Sequence, residues 1–325
     1  MKTYLISKHI SALKDQQKER FFSNISNLSD DSVDITIVHE ISQKLGDFEF
    51  GEAEQSDRDV TSRYIDETGV IYTGEVQKGS KIKDGRGVLK WPDGSKYEGY
   101  FQNDKANGHG RIIMSTGDFY IGEWVDDKMQ GYGEYVHSNG SHYKGEWSED
   151  EQAGFGRETW PDGSNYAGYY KQGQSHGQGI FTSKEQDVYE GNFEMGVMEG
   201  DGIYKWKDGR KYEGEWTNNQ MHGKGIFDWP DGRRYEGEYK NDINHGFGEF
   251  VWTNGSKYIG EWCNGRQHGK GTYINADGEK LESQWVNGKV LDPIVDDNLK
   301  NQAFSVDEDT PETLKQSIEI SGCQS

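Results

Sequence analysis

The feature that most constrains this chain is a motif that returns every 23 residues. It begins with Tyr-x-Gly, whose tyrosines are Tyr72, Tyr97, Tyr120, Tyr143, Tyr166, Tyr189, Tyr212, Tyr235 and Tyr258. The first step is 25 residues and every later step is 23. A unit of this length cannot bury an apolar face alone, so neighbouring copies must stack and share one extended core.

Two further series run in phase with the tyrosines. Gly-x-Gly pairs start at Gly85, Gly108, Gly131, Gly154, Gly177, Gly200, Gly223, Gly246 and Gly269. Asp-Gly or Asn-Gly pairs start at Asp93, Asn139, Asp162, Asp208, Asp231, Asn254 and Asp277. Both dipeptides are strong signals for tight turns because Asn, Asp and Gly tolerate positive φ.

Within each copy the residues alternate as they do in β-strands. Tyr212, Gly214 and Trp216 share one face, and Glu213 and Glu215 share the other. Each copy therefore predicts two short antiparallel strands, and the whole of residues 70–288 predicts an elongated, all-β, single-layer solenoid of hairpins. Strands about 4.8 Å apart would give an array roughly 90 Å long.

Composition supports a core made of rings and glycine. Only 31% of residues are hydrophobic, whereas 13% are aromatic and 44 are glycine. Glycine on the aromatic face leaves a hollow that a ring can fill. The net charge of −21 disfavours nucleic acid and anionic lipid as general partners. With only Cys263 and Cys323 and no apolar run long enough to span a membrane, we expect an intracellular protein.

The motif resembles a known family. Tyr-Glu-Gly-Glu-Trp at 212–216 followed by His-Gly-Lys-Gly at 222–225 is similar to the MORN repeat (membrane occupation and recognition nexus), in about nine to ten copies. The resemblance implies a solenoid used as a scaffold; relatives include radial-spoke-head proteins of cilia, membrane tethers and cytoskeletal proteins. Three copies depart from the pattern: 184–187 lack the turn glycine, Glu158 replaces an apolar residue, and Val76 replaces an aromatic one.

The repeated histidines and glutamates do not predict chemistry. Equivalent atoms in successive copies lie about 10 Å apart, whereas the ligands of one metal ion lie about 2 Å from it. We therefore expect the histidines, His176, His222, His245 and His268, to hydrogen-bond the turn before Gly-x-Gly. The glutamate pairs share one environment, unlike catalytic carboxylates. No phosphate-binding glycine motif occurs. The sequence predicts no catalytic residue, no metal, no cofactor and no enzyme.

The flanks differ from the array. Residues 1–22 predict a basic amphipathic helix, which would dock on the chain's own array or tether an acidic partner such as a tubulin tail or lipid head groups. The proposed tether residues are Lys8, Lys14, Lys18 and Arg20. Residues 23–69 are predicted to be an acidic linker. Residues 289–325 are predicted to be an acidic, largely disordered tail.

The aromatic face suggests an interaction site. Rings that end the first strand of successive copies are Trp124, Trp147, Tyr170, Trp216, Tyr239 and Trp262. One interpretation is a groove that accepts a partner helix or another subunit, because Tyr and Trp dominate interface energetics. The other is that these rings only pack against the next repeat. The sequence leaves both open.

These observations favour a non-enzymatic scaffold that mediates protein–protein interactions with other subunits of a cytoskeletal assembly. The family resemblance points most specifically to a ciliary axonemal component similar to the radial spoke head. The expected location is the cilium, axoneme or cytoskeleton, and otherwise the cytoplasm. The alternative is a phosphoinositide-binding membrane tether or cortical adaptor, in which lipid would be the partner.

Overall fold

A computed structural model describes residues 35–51 and 57–291. The chain divides into an N-terminal unit that ends at Gln174 and a C-terminal unit that begins at Ser175. In both units consecutive strands pair antiparallel in one layer, which confirms the predicted class of an all-β array of hairpins. The helix predicted over 1–22 lies outside the described residues, as does the tail beyond residue 291.

The described part of the N-terminal unit contains one helix followed by ten strands, each paired with its neighbour in the sequence. The elements are α1 (Ile35–Leu45), β1 (Arg58–Ile65), β2 (Ile71–Gln77), β3 (Lys83–Lys90), β4 (Lys96–Gln102), β5 (Lys105–Ile113), β6 (Phe119–Val125), β7 (Lys128–Val136), β8 (His142–Ser148), β9 (Glu151–Thr159) and β10 (Asn165–Lys171).

The C-terminal unit contains the remaining strands, again paired in sequence order. These are β11 (Gln174–Thr182), β12 (Val188–Glu194), β13 (Val197–Lys205), β14 (Lys211–Thr217), β15 (Gln220–Asp228), β16 (Arg234–Lys240), β17 (Ile243–Val251), β18 (Lys257–Cys263), β19 (Arg266–Ile274), β20 (Lys280–Val286) and β21 (Lys289–Val290).

Two kinds of turn alternate along each unit. The strands of one repeat are joined by a two-residue turn with positive φ at both positions, as at Asn218 (51°) and Asn219 (66°). Such turns match the right-handed twist of a hairpin. The Asp-Gly turns between repeats are three-residue loops in which only the glycine has positive φ, such as Gly232 at 95°. The Asp-Gly series therefore marks tight turns, as predicted, and these turns connect successive repeats.

The two-residue turn also links one repeat to the preceding one. The Asp242 amide donates to the Met221 carbonyl oxygen at 3.0 Å, and Asp242 Oδ1 accepts from the Met221 amide at 2.8 Å. Asp150 and Met129 form the same pair in the N-terminal unit. Neighbouring hairpins are thus joined at their turn ends by an additional pair of hydrogen bonds.

The predicted packing of rings on glycine is confirmed. A Cβ added to Gly214 would lie 2.7 Å from Tyr212 Oη, and one added to Gly225 would lie 2.5 Å from Tyr212 Cε2. The Tyr212 ring therefore lies across the glycines of both strands, and its hydroxyl donates to the Glu215 carbonyl oxygen at 2.9 Å. Side chains larger than hydrogen would displace the ring.

The turn without a glycine keeps the backbone conformation of the others. Gln186 occupies the position of the turn glycine with a φ of 74°, and its amide donates to the Ser183 carbonyl oxygen at 3.0 Å. Positive φ costs a residue with a Cβ more than it costs glycine. The departure from the repeat pattern is therefore a local strain within an unchanged turn.

The described part of the segment predicted as a linker, residues 23–69, contains helix α1 and strand β1. Helix α1 packs its apolar side on the sheet, where Val38 is 5% exposed and Ile37 lies against the turn at Gly117. Strand β1 extends the sheet by pairing with β2, and Arg58 makes an ion pair with Asp84 at 2.7 Å. The array therefore begins about one strand earlier than residue 70.

Candidate interaction surface

The six rings proposed to line a groove are buried in the aromatic face, the face that carries Tyr212, Trp216 and their equivalents. Their exposed fractions are Trp124 7%, Trp147 7%, Tyr170 5%, Trp216 3%, Tyr239 3% and Trp262 2%. Trp216 packs edge-on between two tyrosines, with its centroid 5.4 Å from that of Tyr189 and 5.1 Å from that of Tyr212. Its Nε1 donates to the Gly202 carbonyl oxygen at 3.2 Å. The burial favours packing between repeats over a groove for a partner.

One carboxylate is enclosed in this aromatic face. Glu158, which stands where other repeats have an apolar residue, is 4% exposed. Burial raises the pKa of Glu158 to about 7, although a hydrogen bond from the Tyr170 hydroxyl at 3.1 Å opposes that rise. A buried carboxyl with a raised pKa is a hallmark of many active sites. Here aromatic rings cover the Glu158 carboxyl group, so its protonation affects the stability of the fold and the way that stability changes with pH.

The opposite face is polar, and its glutamates have an architectural role. Glu215 is exposed, and its Oε1 accepts from the Lys224 amide at 2.9 Å. That amide belongs to a bulge, because the register shifts between Gly214 and Glu215. Glu146 holds the Phe155 amide in the same way at 2.9 Å. The predicted charged face is confirmed for Glu213 and Glu215, and the second glutamate of each pair also satisfies a bulge amide.

His222 and His268 contact their neighbours through the main chain. The main-chain oxygens of His222 and His268 accept long hydrogen bonds, both 3.4 Å, from Tyr212 and Tyr258. The Nδ1 atoms of His222 and His268 are buried and make no hydrogen bond within the described residues. The predicted role of these two imidazoles is wrong, because the main-chain oxygens of His222 and His268, and not their rings, form the hydrogen bonds. In the described part of the chain, no cluster of His, Cys, Asp or Glu could hold a metal ion.

The polar face of the N-terminal unit already holds a segment of its own chain, residues 46–51, here called the docked segment. The Phe48 ring stacks on the His109 ring at 5.7 Å, and the Phe50 ring meets the Tyr100 ring edge-on at 5.8 Å. The Gly51 amide donates to the Tyr100 hydroxyl oxygen at 2.8 Å. Phe48 and Phe50 face the sheet while the acidic residues between and before them are exposed.

Two arginines complete this contact. The Arg86 guanidinium lies 5.9 Å from the Phe50 ring centroid and donates to the Gly51 carbonyl oxygen. Arg111 is 3% exposed, lies 5.7 Å from the Phe48 ring centroid and donates to the Gly46 carbonyl oxygen at 3.0 Å.

A buried ion pair fixes the Arg111 side chain. Its Nη2 lies 2.5 Å from Glu98 Oε2, and Lys96 Nζ lies 2.6 Å from Glu98 Oε1. Burial of Glu98 raises its pKa, but the hydrogen bonds with Lys96 and Arg111 outweigh burial and hold it below its usual value. Glu98 therefore stays ionised and holds Arg111 under the docked segment.

The polar face also exposes aromatic side chains. Tyr132 is 57% exposed, Phe155 44% and Tyr169 51%, and they lie on β7, β9 and β10. The Phe155 and Tyr169 rings meet edge-on at 5.7 Å. Sequence reasoning missed both this cluster and the docked segment. The docked segment could have been recognised from two phenylalanines, Phe48 and Phe50, that alternate with acidic residues between two glycines. The exposed cluster could have been recognised from Tyr or Phe as the middle residue of a Gly-x-Gly pair.

Sequence and structure comparisons identify the repeat. The profile described as the MORN repeat matches nine segments, 72–96, 97–119, 120–142, 143–165, 166–188, 189–209, 212–233, 235–257 and 258–280. Together they cover more than half of the chain. No curated protein sequence matched. No helix in the described part is both long and apolar enough to cross a bilayer.

Similar solved structures include the TCP10 domain of Danio rerio CPAP in complex with a peptide of STIL, at 11% identity over 63% of this chain and 98% of that chain, with a TM-score of 0.34. The Drosophila melanogaster SAS-4 TCP domain in complex with a proline-rich motif of Ana2 is 10% identical over 60% and 98%, with a TM-score of 0.31. Staphylococcus aureus virginiamycin B lyase is 12% identical over 72% and 73%, with a TM-score of 0.14. TM-scores this low carry no inference about this chain.

Proposed function

The chain belongs to the MORN-repeat family, and on that premise we propose that it is a non-enzymatic scaffold whose polar sheet face binds extended protein segments in a cytoskeletal assembly. The specific assembly that the family resemblance suggests is a ciliary axonemal one, similar to the radial spoke head. The partners are other protein subunits, and the chain acts in the axoneme or cytoskeleton.

The observation that carries this proposal is the docked segment. A sheet face that binds the phenylalanines and main chain of residues 46–51 through two arginines, a histidine ring and a tyrosine has the chemistry needed to bind such a segment from another protein. Aromatic and arginine side chains dominate the energetics of protein interfaces. Within each unit the repeated hairpins supply several equivalent positions on the sheet face.

The proposal is tested by expressing the tagged full chain in ciliated cells and extracting them with detergent. A scaffold of the axoneme remains with the insoluble axonemes, because detergent removes lipid and leaves protein contacts in place. Cross-linking in the extracted axonemes should then capture protein neighbours on the polar face. The matched control is the same tag without the chain.

The result that would contradict the proposal is that detergent releases all of the tagged chain and that the chain sediments with vesicles that contain a phosphoinositide. That outcome would assign the chain to the membrane-tether class. Vesicles of neutral lipid alone serve as the control for charge, because binding to anionic head groups falls with salt.

A further inference from the structure

We propose that the polar face of strands β7–β10 is a second docking site, for an extended partner segment with alternating aromatic and acidic residues like those of the docked segment. This inference rests on the proposed function and deepens it, because it names the surface and the chemistry of the partner. The site consists of Tyr132, Phe155 and Tyr169 with Lys144 and Arg157.

The first argument is register. Four residues that contact the docked segment have counterparts two repeats, or 46 residues, further along the chain. The counterparts of Arg86, Tyr100, His109 and Arg111 are Tyr132, Glu146, Phe155 and Arg157. The cross-strand pairing is also the same, because Arg86 opposes Tyr100 as Tyr132 opposes Glu146. The two places on the sheet therefore present side chains in the same arrangement.

The second argument is exposure. At the first place the docked segment covers the sheet, whereas nothing in the described chain covers the second place. Tyr132, Phe155 and Tyr169 are between 44% and 57% exposed. Clustered exposed aromatic side chains mark interaction sites on soluble proteins. Phe155 lies in the bulge of β9, where the Glu146 carboxylate accepts a hydrogen bond from its amide at 2.9 Å.

The third argument is charge. At the first place Arg111 is neutralised by Glu98 on the opposing strand. The equivalent cross-strand pair at the second place is Lys144 with Arg157, two exposed bases. Lys144 has Glu134 at 3.3 Å, and Arg157 has no ion pair within the described residues. In a chain of net charge −21, Arg157 is thus a base without an ion-pair partner in the described residues, beside Phe155 and Tyr169, while the carboxylate of Glu146 on the same face accepts from the Phe155 amide.

The partner's chemistry follows from the docked segment. Its rings alternate with Asp47 and Glu49, and the centroids of the Phe48 and Phe50 rings are 5.0 Å apart. Alternate side chains of an extended segment lie about 7 Å apart on one face, a spacing comparable to the 5.7 Å between the Phe155 and Tyr169 rings. The acidic residues would meet Lys144 and Arg157. An acidic, aromatic, extended segment therefore matches this surface.

The C-terminal unit offers a matched control. Phe247 is 57% exposed and occupies the same repeat position as Phe155. However, Glu261 opposes it across the strands where Tyr169 opposes Phe155. The cross-strand pair equivalent to Lys144 with Arg157 is Glu236 with Glu249. Acidic residues of the partner segment would be repelled there. Phe247 is at least as exposed as Phe155, 57% against 44%, but acidic side chains take the places of Tyr169, Lys144 and Arg157 around it.

The test uses a fluorescent peptide of residues 44–51 and the full chain, with binding followed by fluorescence anisotropy at low salt. The intact chain should bind the peptide. Tyr132→Ser combined with Phe155→Ser should weaken binding about thirtyfold, as expected for loss of aromatic anchors. Arg157→Glu should weaken it by about tenfold and reduce the dependence on salt. Phe247→Ser should leave binding within about twofold of the unchanged chain, and circular dichroism should be the same for all variants.

Three results would overturn the proposal. The first is the absence of binding by the intact chain at millimolar peptide. The second is binding that survives Tyr132→Ser with Phe155→Ser but is lost in Arg86→Glu. In that case the peptide displaces the docked segment, so the second site fails while the proposed function stands. The third is a concentration-dependent dimer in sedimentation velocity that Phe155→Ser abolishes, which would make a second copy of this chain the occupant.

Discussion

Replacing Glu158 by glutamine should make the protein more stable above neutral pH and leave it unchanged in acid. Glu158 is 4% exposed and its pKa is raised to about 7 from an ordinary value of 4.5. At about 1.4 kcal/mol per pKa unit, that difference corresponds to about 3 kcal/mol between the two protonation states. Glutamine keeps an oxygen that can accept the hydrogen bond from the Tyr170 hydroxyl, and it never ionises.

The sign follows from proton binding. Between pH 4.5 and 7 the folded chain keeps the Glu158 proton while the unfolded chain has released it, so stability falls as pH rises through this interval. Below the unfolded pKa both states are protonated and the penalty is absent. Above pH 7 the penalty is fully present. Glu158→Gln should therefore match the parent at about pH 4 and exceed it by up to about 3 kcal/mol at about pH 8.

The assay is urea unfolding at several pH values between these limits, followed by far-ultraviolet circular dichroism. The midpoint difference between parent and variant should grow across the interval while the slopes remain equal. Glu151→Gln, which removes an exposed carboxylate from the same strand, is the control and should change stability by less than about 0.5 kcal/mol. A difference that is constant with pH, or a variant less stable than its parent at about pH 8, would refute the reasoning.

Three further predictions concern the repeat itself, each measured by urea unfolding. Gly225→Ala should destabilise the chain by about 2 kcal/mol or more, because its Cβ would overlap the Tyr212 ring; an unchanged midpoint would mean that the ring moves freely. Gln186→Gly should stabilise the chain by about 0.5–1 kcal/mol, because glycine adopts positive φ without strain, and Gly255→Ala at an equivalent turn should destabilise it by about the same amount. If both variants changed stability in the same direction, the strain argument would be contradicted. Trp216→Ala should cost about 3–5 kcal/mol, and a loss below about 1 kcal/mol would show that the ring is not a packing element.

Periodicity made the core predictable. The in-phase series of tyrosines and glycines predicted rings packed on glycine, and Tyr212 over Gly225 is that contact. The register also predicted which face would carry Glu213 and Glu215. These features repeat in every copy, so each position is supported by the alternation of residues and by the turn signals around it.

The roles of the aromatic face and the polar face could not be predicted from the periodicity of the sequence. The sequence left open whether the aromatic rings line a groove or pack between repeats, and in the structure Trp216 packs between Tyr189 and Tyr212. The bulge that turns Glu215 toward the Lys224 amide depends on strand register, which alternation alone does not give.

The docked segment contacts strands about 35 to 65 residues away. It lies outside the periodic part of the sequence, so no repeated pattern marked it.

The hydrogen bonds that join consecutive hairpins have a consequence for how such a chain changes in length. Asp242 bonds Met221, and Asp150 bonds Met129, each across the same separation of 21 residues. Removing or duplicating one 23-residue copy inside a unit would bring equivalent partners together again. A deletion of one residue would instead turn a glutamate toward the rings and a ring toward water. Gene duplication and deletion can therefore lengthen or shorten the array in whole copies, while smaller insertions are confined to the loops.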